Sequence, residues 1–195
     1  TSTDLGPLES LLRSDPVSNC FLDARVRGAG LDPWRLGGDI WGYLDDDALH
    51  SVVYVGANLV PVGTTPASRA ALADRLRMSP RRCSSFVGDR EEVLDLWRLL
   101  EPAWGPAREV RDDQRLLVMD TDANIPHDPQ VRMATLADMD VLLPACVDMF
   151  TEEVGISPVR GGGGSAYRDR VAEIVRAGRS FVRIVDGRIE FKAEI

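Results

Sequence analysis

One stretch divides this chain before any element is assigned. Asp120 to Pro129 (Asp-Thr-Asp-Ala-Asn-Ile-Pro-His-Asp-Pro) is polar, interrupted by proline and free of any apolar period. A segment of that kind has little to bury and reads as a linker. It leaves two periodic blocks, residues 1–119 and 131–195, with 120–130 between them. A chain of 195 residues has room for one domain plus all or part of a second.

The first block opens with a short helix over Leu8 to Arg13. Asp15-Pro16 has the form of an N-cap followed by proline at the first helical position, and predicts a second helix through Val17, Cys20, Phe21, Ala24 and Val26 that closes at Gly28 and Gly30. Gly38 to Leu44 and Ala48 to Val55 are rich in β-branched and aromatic residues and flank Asp45-Asp46-Asp47, a hairpin signal. Asn58 to Val62 predicts a third strand. Thr64-Thr65-Pro66 then caps a helix from Ala67 to Met78, with Ala70, Ala71, Leu72, Ala73 and Leu76 as its packing side. A strand over Cys83 to Val87 ends at Gly88-Asp89. The periodic helix carrying Val93, Leu94, Leu96, Trp97, Leu99 and Leu100 is expected to stop at Pro102. Arg115 to Met119 predicts a closing strand.

The second block reads as a strand (Val131 to Thr135), a helix (Leu136 to Phe150), a glycine-rich connection, a second helix (Tyr167 to Ala177), and a hairpin of Phe181 to Val185 and Arg188 to Ala193. The fold class that satisfies both blocks is α/β in the α+β sense: mixed, largely antiparallel sheets flanked by helices.

Composition narrows function by exclusion. Hydrophobic residues at 44 % and charged residues at 28 % match folded globular chains rather than disordered ones. A formal net charge of -8 argues against a nucleic-acid partner, because phosphate binding needs clustered Lys and Arg. Lys192 is the only lysine. The arginines are scattered, so the skew fits a GC-rich genome better than an arginine-specific interface. Cys20, Cys83 and Cys146 have no metal-ligand or disulfide-framework spacing, which fits a reducing cytoplasm. No apolar run has the length of a membrane span and no signal peptide is evident, so a cytoplasmic protein without a membrane partner is expected.

The second block carries a family resemblance. Val131-Arg132-Met133-Ala134-Thr135-Leu136-Ala137-Asp138-Met139-Asp140 resembles the first strand and first helix of acyl-CoA N-acyltransferases of the GNAT superfamily, and Ser180 to Ile195, with its Asp186-Gly187 turn, resembles that family's second and third strands. The run Met149 to Pro158, followed by Gly178-Arg179-Ser180-Phe181 and Phe191-Lys192-Ala193-Glu194-Ile195, is similar to actinobacterial two-domain members, in which a companion domain of unassigned function comes first. Asn58 to Gly63 and Cys83 to Gly88 resemble that companion, so the likeness covers nearly the whole chain.

The resemblance implies an acetyl-CoA-dependent N-acetyltransferase. An amine attacks the thioester after a base removes its proton, and a Gln/Arg-x-x-Gly-x-Gly/Ala loop at a helix N-terminus holds the pyrophosphate. No such loop lies between Val131 and Ile195. The expectation is therefore a domain truncated after its acceptor-side half and inactive by itself, with catalytic residues unassigned. The outer edge of the strand ending near Ile195 would then need cover from the first block, a further segment or a second copy of the chain. A non-catalytic ligand-binding or regulatory module is the alternative.

Candidate site residues follow from that reading. Gly63, Thr64 and Thr65 lie between a strand and a helix, where an acyltransferase-like first block would place its cofactor loop, although either threonine is also explained as an N-cap. Glu152, Glu153 and Tyr167 flank the loop that borders the acceptor cleft in the family. Arg25-Val26-Arg27-Gly28-Ala29-Gly30 matches the pyrophosphate pattern by letter, yet it leaves a helix rather than a strand, so a glycine C-cap is the better reading. Gly161 to Gly164 lacks the Lys-Ser/Thr of a phosphate loop and reads as a mobile connection. His50 and His127 have no triad partners at recognisable spacing. Asp45 to Asp47 lack calcium-loop spacing and read as a hairpin tip, and no metal is expected. Trp34, Trp41, Trp97 and Trp104 are expected as core or interface anchors.

Overall fold

The computed structural model describes residues 5–195. The chain divides into two compact units, Thr1–Asp120 and Thr121–Ile195. Both are α+β.

Unit 1 runs α1 (Leu5–Arg13), α2 (Cys20–Ala29), α3 (Pro33–Leu36), β1 (Gly38–Asp45), β2 (Ala48–Gly56), β3 (Asn58–Val62), α4 (Pro66–Arg77), β4 (Ser85–Phe86) and α5 (Arg90–Trp104). Its sheet has the order β1-β2-β3-β4, antiparallel except for the parallel β3–β4 pair. The apolar run through β2 is continuous rather than alternating because helices cover both faces. Val52 and Tyr54 pack with Leu8, Leu12, Leu22 and Val26 of α1 and α2. Val53 and Val55 pack with Leu72 and Leu76 of α4 and Leu96 and Leu100 of α5. Tyr54 is held by donating its hydroxyl to the Leu36 carbonyl at 3.1 Å.

Unit 2 runs β5 (Arg132–Met133), a 3-10 turn (Leu136–Asp138), α6 (Met139–Val154), a second 3-10 turn (Arg160–Gly162), α7 (Gly164–Arg176), β6 (Ser180–Val185) and β7 (Arg188–Glu194). The sheet order is β5-β6-β7, antiparallel throughout. Met139, Leu142 and Cys146 of α6 and Val171, Ala172 and Val175 of α7 pack with Val182 of β6.

The two hairpins are built alike. Asp46 and Asp47 have φ of 46° and 61°, and Asp186 and Gly187 have 49° and 72°. Two left-handed residues in a row make the tight turn whose twist matches the strands. Each hairpin then shifts register, between Tyr43 and Leu44 in one and between Arg183 and Ile184 in the other. The pairings place one extra residue at the same point past each turn, His50 in β2 and Glu190 in β7. Each hairpin also follows a run of helices, α1 to α3 in unit 1 and α6 and α7 in unit 2, so both units place a bulged hairpin after helices.

Several expectations are corrected. Asp15-Pro16 does not open α2, because the Asp15 carboxylate accepts from the Ser18 N–H at 3.0 Å and closes a turn there, and the helix starts at Cys20. On α4, Ala70 and Ala71 are exposed, whereas Ser68 and Arg69 join Leu72, Ala73 and Leu76 on the buried side. Pro102 sits inside the last turn of α5; a proline near a helix end forfeits one backbone bond without stopping the final turn. Arg115 to Met119 is an exposed, irregular segment with no ladder partner. Trp34 is 95 % exposed, because Leu36 takes the inward position of the four-residue α3. In unit 2, Gly164 already begins α7, α6 extends to Val154, and β5 shrinks to two residues.

Candidate functional site

The bulge at Glu190 decides what faces the helices of unit 2. Strict alternation along β7 from Ile189 would place Phe191 and Ala193 beside it. One extra residue reverses the phase. Lys192 then pairs with Val182 and Glu194 with Ser180, both buried, so Lys192 and Glu194 point toward α6.

There they form a polar cluster. The only lysine of the chain is 9 % exposed at its side chain, and its Nζ lies 3.0 Å from Glu194 Oε1. It also approaches Met149 Sδ at 3.5 Å. Cys146 is buried in α6 and its thiol donates to the same Glu194 oxygen at 3.4 Å. Tyr167 of α7 donates its hydroxyl to the Cys146 carbonyl at 3.1 Å and meets Phe150 edge-on at 5.7 Å between ring centres. Burial, reinforced by the Glu194 carboxylate and opposed by Lys192, pushes the Cys146 thiol up to about 11. The sulfur is thus a protonated donor at neutral pH, not a nucleophile. Burial also raises the Tyr167 hydroxyl. Glu194 is 29 % exposed at its side chain, and its Oε2 has no hydrogen-bond partner among the described residues. The arrangement presents one solvent-reachable carboxylate oxygen anchored on a lysine, a thiol and the sheet.

Of the sequence-predicted residues, Tyr167 joins this cluster. Glu152 and Glu153 occupy the last turn of α6 as exposed carboxylates, and that turn contains no basic residue. Carboxylates at a helix C-terminus stand at its negative end, where each costs about 0.3–1 kcal/mol.

Gly63, Thr64 and Thr65 lie in unit 1 and are engaged within the fold. The Thr64 hydroxyl donates to Glu92 at 2.8 Å and its carbonyl accepts from Arg69 at 2.8 Å. Thr65 and Ser68 cap α4 reciprocally. A pyrophosphate at this turn would meet the Glu92 carboxylate. Gly30 ends α2 with φ of 64° and donates to the Val26 carbonyl, which is a C-cap geometry. His50 and His127 are exposed.

Lys192, Glu194 and Cys146 were not among the site residues expected from the sequence. The signal available was Lys192 and Glu194 two residues apart on a strand, hence on one face. Which face depends on a bulge that no residue type announces.

The molecule is thus a two-unit α+β protein with helix-covered sheets. The chain belongs to the family described as a domain of unknown function (DUF4081), whose model matches residues 38–142, more than half of its length. The matched stretch runs from β1 through unit 1 into α6. No curated protein and no solved structure matches the chain. Among the described residues, no helix is long and apolar enough to cross a membrane.

Proposed function

We propose that unit 2 supplies the acceptor side of an acetyl-CoA-dependent N-acetyltransferase of the GNAT type. The observation that carries this reading is its element order: a short strand, two helices and an antiparallel hairpin, with β6 between β5 and β7. The family resemblance of Val131 to Asp140 and Ser180 to Ile195 implies that succession.

In this reading the amine nitrogen attacks the thioester carbonyl, the N–C bond forms, the C–S bond breaks, and coenzyme A leaves as its thiol. Glu194 Oε2 receives one proton of the cationic amine before attack, and the second N–H proton goes to the departing sulfur. Cys146, held protonated, forms no acyl intermediate, so transfer is direct. Glu152 and Glu153 draw the cationic acceptor, which relieves their position at the negative end of α6. A cytoplasmic location fits the donor, and a second copy of the chain pairing along the outer edge of β7 would satisfy its open backbone groups.

A ligand-binding module without catalysis is the second reading, favoured by the cavity in unit 1 described below. Calorimetry with acetyl-CoA on this chain and on any longer product of its gene separates the two. Saturable binding by a product that carries a pyrophosphate loop is expected. Absence of binding by every product would leave the module.

A further inference from the structure

A cavity of about 170 Å3 opens in unit 1 on the sheet face that carries α4 and α5. Trp41 of β1 lies there because it pairs with Val53, whose side chain packs on that face. Val55, Leu76 and Cys83, all buried, line its interior, and Trp104 at the end of α5 forms another wall. Burial raises the Cys83 thiol above its ordinary value, so it is a neutral wall.

The rim is cationic. Arg81 and Arg82 line the opening, and no carboxylate does. Arg82 is paired with Asp39 at 2.7 Å. Arg81 is not: its guanidinium lies 5.2 Å from the Trp104 ring centre and its Nε donates to the Cys83 carbonyl at 3.3 Å. Arg75 lies 4.3 Å over Trp41. Among the described residues, neither Arg75 nor Arg81 has a carboxylate within ion-pair distance, in a chain whose acidic residues outnumber its basic ones 31 to 23.

We propose that this cavity binds a small aromatic anion, with the ring in the apolar interior and the negative charge on Arg81 at the rim. An apolar cavity of about 150 Å3 accommodates benzene, so the volume suits one six-membered ring with one substituent. A guanidinium offers paired donors to either a carboxylate or a phosphate, and its place over the Trp104 ring, 5.2 Å from the ring centre, keeps it at the rim. The site is independent of the cluster on β7.

Titration of the chain with benzoate and with phenyl phosphate, followed by calorimetry and tryptophan emission, tests this. At least one is expected to bind saturably below about 10 mM, and benzamide, the neutral counterpart of benzoate, at least about tenfold more weakly than the better anion. The preferred anion identifies the head group. Arg81→Gln is expected to weaken that anion about tenfold, and Trp34→Phe, outside the cavity, to leave it unchanged. Should Arg81→Gln disturb folding, the anion–benzamide comparison on the unaltered chain decides. No saturation by either anion below about 10 mM, or benzamide binding as well as both, would overturn the proposal.

Discussion

Replacing Asp95 by asparagine isolates what holds Arg69 inside unit 1. The Arg69 side chain is 3 % exposed between α4 and α5. Its Nε meets Asp95 at 2.5 Å, one terminal nitrogen donates to the Thr64 carbonyl at 2.8 Å, and the other lies 3.5 Å from Glu91. Breaking a fully buried pair by removing one partner costs about 3–5 kcal/mol. The Asp95 side chain is 34 % exposed and the Glu91 side chain 83 %, so solvent screening and the remaining contacts reduce the expected loss to about 2 kcal/mol. Urea unfolding followed by the emission of Trp97 and Trp104 reads it, as a lower midpoint with an unchanged slope. Arg69→Met is the informative companion. It removes charge and partner together at similar volume, so Asp95→Asn added to it should cost less than about 0.5 kcal/mol further. A single Asp95→Asn variant within about 0.5 kcal/mol of the parent would refute the argument, because it would mean the guanidinium is solvated rather than held by that carboxylate.

Gly38 faces Gly56 across β1 and β2, and a Cβ there would lie 2.5 Å from the Val55 carbonyl oxygen. Gly38→Ala is therefore expected to destabilise unit 1 by about 1–3 kcal/mol in the same urea assay, and a neutral result would show that the hairpin backbone yields. The Arg132 guanidinium bonds both oxygens of Asp138 at 2.8 Å and, with the Thr135 amide and hydroxyl, holds that carboxyl well below its ordinary value of 3.8. A depressed folded-state value contributes stability above the unfolded value and loses it as pH falls through the folded one. Asp138→Asn should thus lower stability at pH 7 and flatten its decline below pH 3.8; parallel acid profiles for parent and variant would contradict this.

The sequence carried the parts of this fold that depend on local pattern. Both hairpins were readable because a polar tip, Asp45 to Asp47 or Asp186-Gly187, interrupts β-rich runs, and two left-handed residues there suit Asp and Gly. Thr65-Pro66 marked α4 for the same local reason. What escaped depends on partners distant in the chain. Arg115 to Met119 has a strand's composition, yet composition does not supply a neighbouring strand. Arg69 had no place on the packing side expected for α4, yet Asp95 of α5, 26 residues on, draws it inward. The polar cluster escaped for a subtler reason, since Glu190 shifts alternation by one residue and so turns Lys192 and Glu194 from solvent to the helices.

The acetyl-transfer reading is tested most directly by incubating the gene product with acetyl-CoA and a panel of amines, measuring free thiol and acetylated amine together. The account predicts the two in equal amounts, with the rate reduced at least about 10²-fold by Glu194→Gln. Acetyl-CoA bound but never consumed with any amine, or a Glu194→Gln protein as fast as its parent, would contradict it.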